Sequence, residues 1–233
     1  MAPLTSLPEG YRAVVIGGTG GIGAAVAGSL RNDPRCAAIV TLSRADGLDL
    51  VDEAGIRAAA ERIAEGGEID LVFDATGALT IDGYGPEKSL RAISAEGMRM
   101  QFAVNAVGPA MLLKHFAPLL PRGRRSLFAT LSARVGSIGD NRLGGWISYR
   151  AAKAALNQIV RTAAIEIGRS RPEAVVVALH PGTVATRLSD PFASNRDRFS
   201  PAESAERLLR VLDALPSSAS GGFFAHDGSP IDW

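Results

Sequence analysis

Cysteine is almost missing from this chain: Cys36 stands alone among 233 residues, which excludes an internal disulfide and any cysteine-rich metal cluster. The three histidines, His115, His180 and His226, lie far apart in HxH- and HExxH-free surroundings. No metal site is therefore expected, and His115 and His180 read as helix and strand-end packing residues. No segment stays apolar for the ~18 residues that a bilayer span requires. The start "MAPLTSLPEGYR" also lacks the basic stretch and apolar run of a leader. An excess of one charge is missing too, since 25 basic and 24 acidic side chains leave a net +1, so neither nucleic acid nor a membrane is expected as partner. What these absences leave is a protein of a reducing cytoplasm with a small, uncharged or locally complemented ligand.

What is present is periodic. Short Val- and Ile-rich runs alternate with longer Ala- and Leu-rich segments, as buried parallel strands and their crossover helices do. The pattern predicts strands over 13–16, 38–42, 71–75, 126–131, 175–179 and 222–225, and helices over 22–31, 52–65, 95–119, 149–168 and 201–215. This is an α/β chain: one doubly wound parallel sheet of the Rossmann type, about seven strands, helices on both faces, and a single domain over 1–233. In such sheets ligands bind at the carboxyl ends of the strands. Residues 136–145 and 189–200, rich in Gly, Asp, Asn, Ser and Arg, read as long functional loops.

Directly after the first strand runs "GGTGGIGAAVAGSL", with Gly17, Gly21 and Gly23 in G-x-x-x-G-x-G spacing. Side chains at these positions would block the tight turn, the approach of a pyrophosphate or the packing of helix on strand, while open N–H groups at the helix start attract an anion. A dinucleotide is the expected ligand, held around Gly17, Thr19, Gly20, Gly21, Ile22 and Gly23. NAD usually wants a carboxylate at the end of the second strand, and here Ser43 and Arg44 stand there. An arginine suits a 2′-phosphate, so NADP is expected and NAD is not excluded.

Further along, "YRAAK" sets Lys153 four residues after Tyr149, a spacing that puts both on one face of a helix. With this motif and the glycine turn in order, the chain resembles the short-chain dehydrogenase/reductase family over nearly its whole length. Gly17–Gly23 is similar to the family's TGxxxGxG turn, with Ile16 in place of the usual Thr. Asp49 and Leu50 match the adenine-contacting pair. "DATG", with Ala75, Thr76 and Gly77, occupies the place of NNAG, and "HPGTVATRL" resembles the segment that sets Pro181, Gly182, Val184 and Thr186 beside the nicotinamide. Asn105 matches the helix asparagine of the proton relay. Within the family, "LSARVGSIGDNRLGGWISYRAAKAALN" and the ending "GGFFAHDGSPIDW" look like the C-factor and sniffer-type carbonyl reductases.

The resemblance implies catalysis by Asn105, Ser132, Tyr149 and Lys153, with Tyr149 and Lys153 also touching the cofactor. Reduction of a carbonyl needs a hydride, which the cofactor brings, and a proton, which Tyr149 is expected to give once the Lys153 ammonium lowers its pKa. The serine departs from the pattern: S-x-x-G puts Ala133 where the family has serine. A one-residue bulge is expected to bring Ser132 into the role, with Ser137 or a site without a hydroxyl as alternatives. The substrate is a small carbonyl compound or alcohol. Its walls are expected in a loop near 183–200 and in 136–147, where Leu143, Trp146 and Phe192 are apolar and Arg134 and Arg142 basic. The resemblance also implies a homo-oligomer, dimer or tetramer, paired on the 95–119 and YRAAK helices. An NADP-binding regulatory or signalling protein of the same fold is the alternative function.

Overall fold

The computed structural model describes residues 3–188 and 198–233. Apolar, β-branched runs form its strands: β1 (Tyr11–Ile16), β2 (Cys36–Leu42), β3 (Leu71–Asp74), β4 (Ser126–Leu131), β5 (Ala174–His180) and β6 (Phe223–Ala225). All pair in parallel in the order β2-β1-β3-β4-β5-β6. The expectation of about seven strands is corrected to six among the described residues, with β2 as one edge.

Three helices begin on a capping side chain. After α1 (Gly21–Arg31), α2 (Glu53–Ala64) opens on Asp52, whose carboxylate accepts from Ala54 N. The next, α3 (Ala95–Phe102), opens on Ser94, which accepts from Gly97 N. The expected helix over 95–119 is interrupted: a π turn at Ala103–Val107 separates α3 from α4 (Gly108–Phe116). Beyond α5 (Ile147–Ser170), α6 (Pro201–Ala214) starts with a full capping box between Ser200 and Glu203.

Two cores sandwich the sheet. On one face α2, α4 and α5 bury Ile56, Phe116 and Leu156 against Val14, Val72 and Phe128; on the other, α1 and α6 bury Leu30 and Leu208 against Val15, Phe73 and Val177. Each fully buried Phe contributes roughly 1.5–3 kcal/mol relative to exposure. The chain leaves β1 towards β2 on one side and resumes at β3 on the other, so a crevice opens at the carboxyl ends of β1 and β3.

Candidate active site

The first wall of that crevice is the turn from Gly17 to Gly20. Gly17 sits at φ +83°, and a Cβ there would come within 3.0 Å of the Ala75 carbonyl. Its N–H donates to Leu42 O at 2.8 Å, tying the turn to the end of β2. A Cβ on Gly23 would overlap the Gly17 carbonyl, so the helix can start this close only with glycine. The N-cap of α1 is Gly20, and no side chain caps the helix, which leaves its first N–H groups facing outwards.

Here the structure opens a groove of about 330 Å³ that collects Gly17, Thr19, Gly20, Ser43, Arg44, Asp49, Leu50, Ala75, Thr76 and Gly77. The remaining glycines and the PG segment act elsewhere. Gly21 lets Thr186 pack on the start of α1, since a Cβ would meet Thr186 Cγ2 at 2.8 Å. Ile22, Pro181, Gly182, Val184 and Thr186 line the adjoining cleft. Ser43 donates its hydroxyl to Asp46 at 2.7 Å, whereas Arg44 is exposed at the groove. Asp74, in the DATG stretch, is a buried acceptor for Thr76 N (2.9 Å), Thr76 Oγ1 (2.6 Å) and Thr130 Oγ1 (2.6 Å), and so fixes the loop that forms the groove's second wall.

Tyr149 and Lys153 stand one turn apart on α5, and both are buried. The lysine Nζ donates to Leu131 O at 2.9 Å and lies 5.9 Å from the Tyr149 ring centroid. Burial lowers the Lys153 pKa to about 8, opposed by the negative charge of Asp74. Burial also pushes the Tyr149 hydroxyl upwards, so the lowering expected from the lysine does not dominate in the free protein. Asn105 lies in the π turn, fully buried. Its Oδ1 accepts from Ala78 N at 3.0 Å, and its Nδ2 donates to Ala78 O and Gln101 Oε1. Gly77, at φ +139°, seats between them: a Cβ would stand 3.1 Å from Asn105 Oδ1 and 3.3 Å from Lys153 Nζ.

Beside Tyr149 a second cleft of about 560 Å³ opens, lined by Leu79, Ala133, Leu143 and Trp146 among others. Ser132, expected to supply the hydroxyl, is not among its lining residues. Its hydroxyl donates to Asn157 Oδ1 on α5 at 2.7 Å, which uses its one proton within the protein. The reason is strand alternation. Leu131 faces the α1 and α6 core, Ser132 therefore faces α5, and its N–H still bonds Leu179 O at 2.8 Å, so no bulge shifts it. Ser137 is buried and accepts from Asp140 N at 3.1 Å, outside the cleft lining. Arg134 lines the cleft while Arg142 does not. Residues 189–197, Phe192 included, lie outside the described residues.

Sequence reasoning missed several lining residues. Ile81 and Asp82 flank the groove in a small turn closed by Ile81 and Tyr84, with Asp82 and Gly83 at positive φ; the Asp-Gly dipeptide was its available signal. Arg150 and His180 line the cleft, and for His180 the signal was its place at a strand end before Pro-Gly. His115 instead meets Glu53 Oε1 at 3.1 Å on the surface. Among the described residues no cluster of His, Cys, Asp and Glu could hold a metal ion, and no helix is long and apolar enough to cross a membrane.

Comparison with known proteins defines the class. A family model described as enoyl-(acyl carrier protein) reductase matches residues 21–231. The chain is 32% identical over 188 residues to 1-hydroxy-2-glutathionyl-2-methyl-3-butene dehydrogenase of Rhodococcus sp. strain AD45, covering 80% of this chain and 79% of the relative. It is 36% identical over 137 residues to the C-signal protein of Myxococcus xanthus, covering 58% of this chain and 78% of that one. The fold matches NADPH-bound carbonyl reductase from chicken fatty liver at a TM-score of 0.80 and 24% identity, over 97% of this chain and 100% of the other. It matches the carbonyl reductase Sniffer of D. melanogaster at a TM-score of 0.81 and 21% identity, over 96% and 99% of the two chains. The chain belongs to the short-chain dehydrogenase/reductase family of oxidoreductases.

Proposed function

We propose that this protein is an NADP-dependent oxidoreductase that interconverts a carbonyl and a primary or secondary alcohol, with Tyr149 as general acid and base. The observation that carries the reading is that one short loop lines both groove and cleft, Ala78 and Thr80 the first and Leu79 the second, with Tyr149 in the cleft wall and Lys153 buried one turn behind it. The groove residues fit a dinucleotide: the Gly17–Gly20 turn would let a pyrophosphate approach the backbone, Arg44 would hold a 2′-phosphate, and Asp49 and Leu50 would hold the adenosine end. The chicken enzyme of the same fold carries NADPH. When bound, that cofactor supplies the hydride.

The protein's own residues then handle the proton. Burial keeps the Tyr149 hydroxyl protonated in the free protein, as a general acid for reduction requires. Lys153, whose Nζ lies behind the groove residue Gly77, would bring a charge to a bound cofactor, and Asn105 holds the 78 loop beside it through both ends of its amide. The cleft volume suits a small molecule, and Leu79, Leu143 and Trp146 suit an apolar one. We include in the proposal a cytoplasmic homo-oligomer, dimer or tetramer, which sedimentation would reveal. One observation favours a second reading, an NADP-binding regulatory or signalling protein: at the end of β4 the cleft is lined by Ala133, which has no hydroxyl, and Ser132 is bonded to Asn157. Oxidation of NADPH in the presence of a panel of aldehydes, ketones and quinones decides. Turnover of any of them supports the enzyme, and tight NADPH binding without turnover supports the regulator.

A further inference from the structure

His180 closes β5 and forms part of the wall of the cleft that holds Tyr149 and Ala133. β4 and β5 are neighbours with Leu131 opposite Leu179, so Ala133 and His180 come from adjacent strand ends. The imidazole Nδ1 is sealed from solvent and has no hydrogen-bond partner. A buried N–H without an acceptor is rarer and costlier than an unused lone pair, which puts the ring proton on Nε2. Because Nδ1 is sealed, the ring meets the cleft through another edge. Burial, reinforced by Arg134 and His226, lowers the pKa to about 4, so the ring is neutral at physiological pH and offers one N–H.

The two arginines that line the cleft among the described residues are otherwise engaged. Arg150 donates to Gly145 O at 2.9 Å, Gly144 O at 3.1 Å and Val135 O at 3.3 Å, and Arg134 faces the Asp140 carboxylate at 3.2 Å. A carbonyl oxygen that gains negative charge during reduction is stabilised by a second donor besides the proton-giving group. Ser132 spends its proton on Asn157, and Ala133 has none to give.

We propose that His180 is a catalytic residue of this cleft, donating its Nε2–H to the substrate oxygen in the role that Ala133 cannot fill, while Tyr149 transfers the proton. The proposal rests on the reading of the cleft as a carbonyl site. A neutral imidazole suits the task, because it polarises a carbonyl without carrying a charge into a buried wall.

The test compares wild type, His180→Phe, His180→Gln, Thr183→Val, and the double variant His180→Phe/Ala133→Ser, with phenanthrenequinone and benzil as probes and NADPH affinity as the control of folding. Thr183 is included as an exposed hydroxyl of the cleft wall. His180→Phe should lower kcat/KM by about 10²-fold, the loss typical of one oxyanion donor, while the NADPH Kd changes by less than about twofold. His180→Gln, which keeps a donor, should stay within about tenfold of wild type, and Ala133→Ser should restore at least about tenfold in the Phe background. The proposal is overturned if His180→Phe keeps more than about a third of wild-type kcat/KM, if the loss falls on Thr183→Val instead, or if the added serine restores nothing. A wild type that binds NADPH yet reduces neither probe overturns it together with the reading of the cleft. An active wild type with an indifferent His180→Phe overturns the role of the histidine alone.

Discussion

At the scale of single residues, burial drives the two members of the YRAAK pair towards their neutral forms. Tyr149 holds its proton more firmly, while Lys153 loses its proton near pH 8. The sign is plain: Lys153 is cationic below about pH 8 and neutral above it. kcat/KM for NADPH reports the ionisations of the free enzyme, so it should fall as pH rises through about 8, and in Lys153→Arg, whose guanidinium keeps its charge, that limb should vanish from whatever activity remains. A profile flat beyond pH 9 in wild type would remove Lys153 from cofactor binding. Residues of this kind were legible because their spacing along a helix is fixed by the turn length. Ser132 was not: whether a strand-end side chain faces cleft or core depends on the parity of one residue, and the ladder bond from Ser132 N to Leu179 O sets that parity without leaving any mark in the sequence.

At the scale of elements, helix α5, which carries Tyr149 and Lys153, begins without a cap of its own. Trp146 sits at its N-cap with φ +53° and offers no side-chain cap. Glu87, from the loop after the groove, supplies the missing acceptor: its carboxylate takes hydrogen bonds from Ser148 N at 3.2 Å and from Ser148 Oγ. Burial would raise this carboxyl's pKa, but the Ser148 bonds together with Glu87's own backbone N–H outweigh it and the net shift is downwards. Its contribution is therefore present above the usual glutamate range and lost as pH falls through the depressed value. Glu87→Ala should cost about 1–3 kcal/mol, read as a lower urea midpoint at pH 7, and the loss should shrink at pH 3. An unchanged midpoint would show that α5 needs no such anchor. The Val- and Ile-rich strands and the amphipathic helices were readable from period alone, and their bounds fall within a few residues of the pattern. The π turn that splits the 95–119 helix was not, because it seats Asn105 for its two bonds to Ala78, 27 residues away in the chain and beyond any local propensity.

At the scale of the whole molecule, the sheet order brings five loops, those after β1, β2, β3, β4 and β5, to one edge, and they supply the walls of groove and cleft. Cofactor binding should consequently stabilise the entire domain. NADPH at about a hundred times its Kd should add ~2.7 kcal/mol, or roughly 5–10 °C in Tm for a chain of this size. NADH at the same concentration should add less, and Arg44→Ala should bring the two shifts together. Equal shifts in wild type would remove Arg44 from 2′-phosphate recognition. The central claim, that this cleft reduces carbonyls with Tyr149 as proton donor, is tested most directly by NADPH oxidation in wild type and Tyr149→Phe against the best carbonyl of the panel. The account predicts turnover in wild type and a loss of about 10²-fold or more in the variant at nearly unchanged NADPH affinity; a variant that keeps more than about a tenth of the wild-type rate would contradict it.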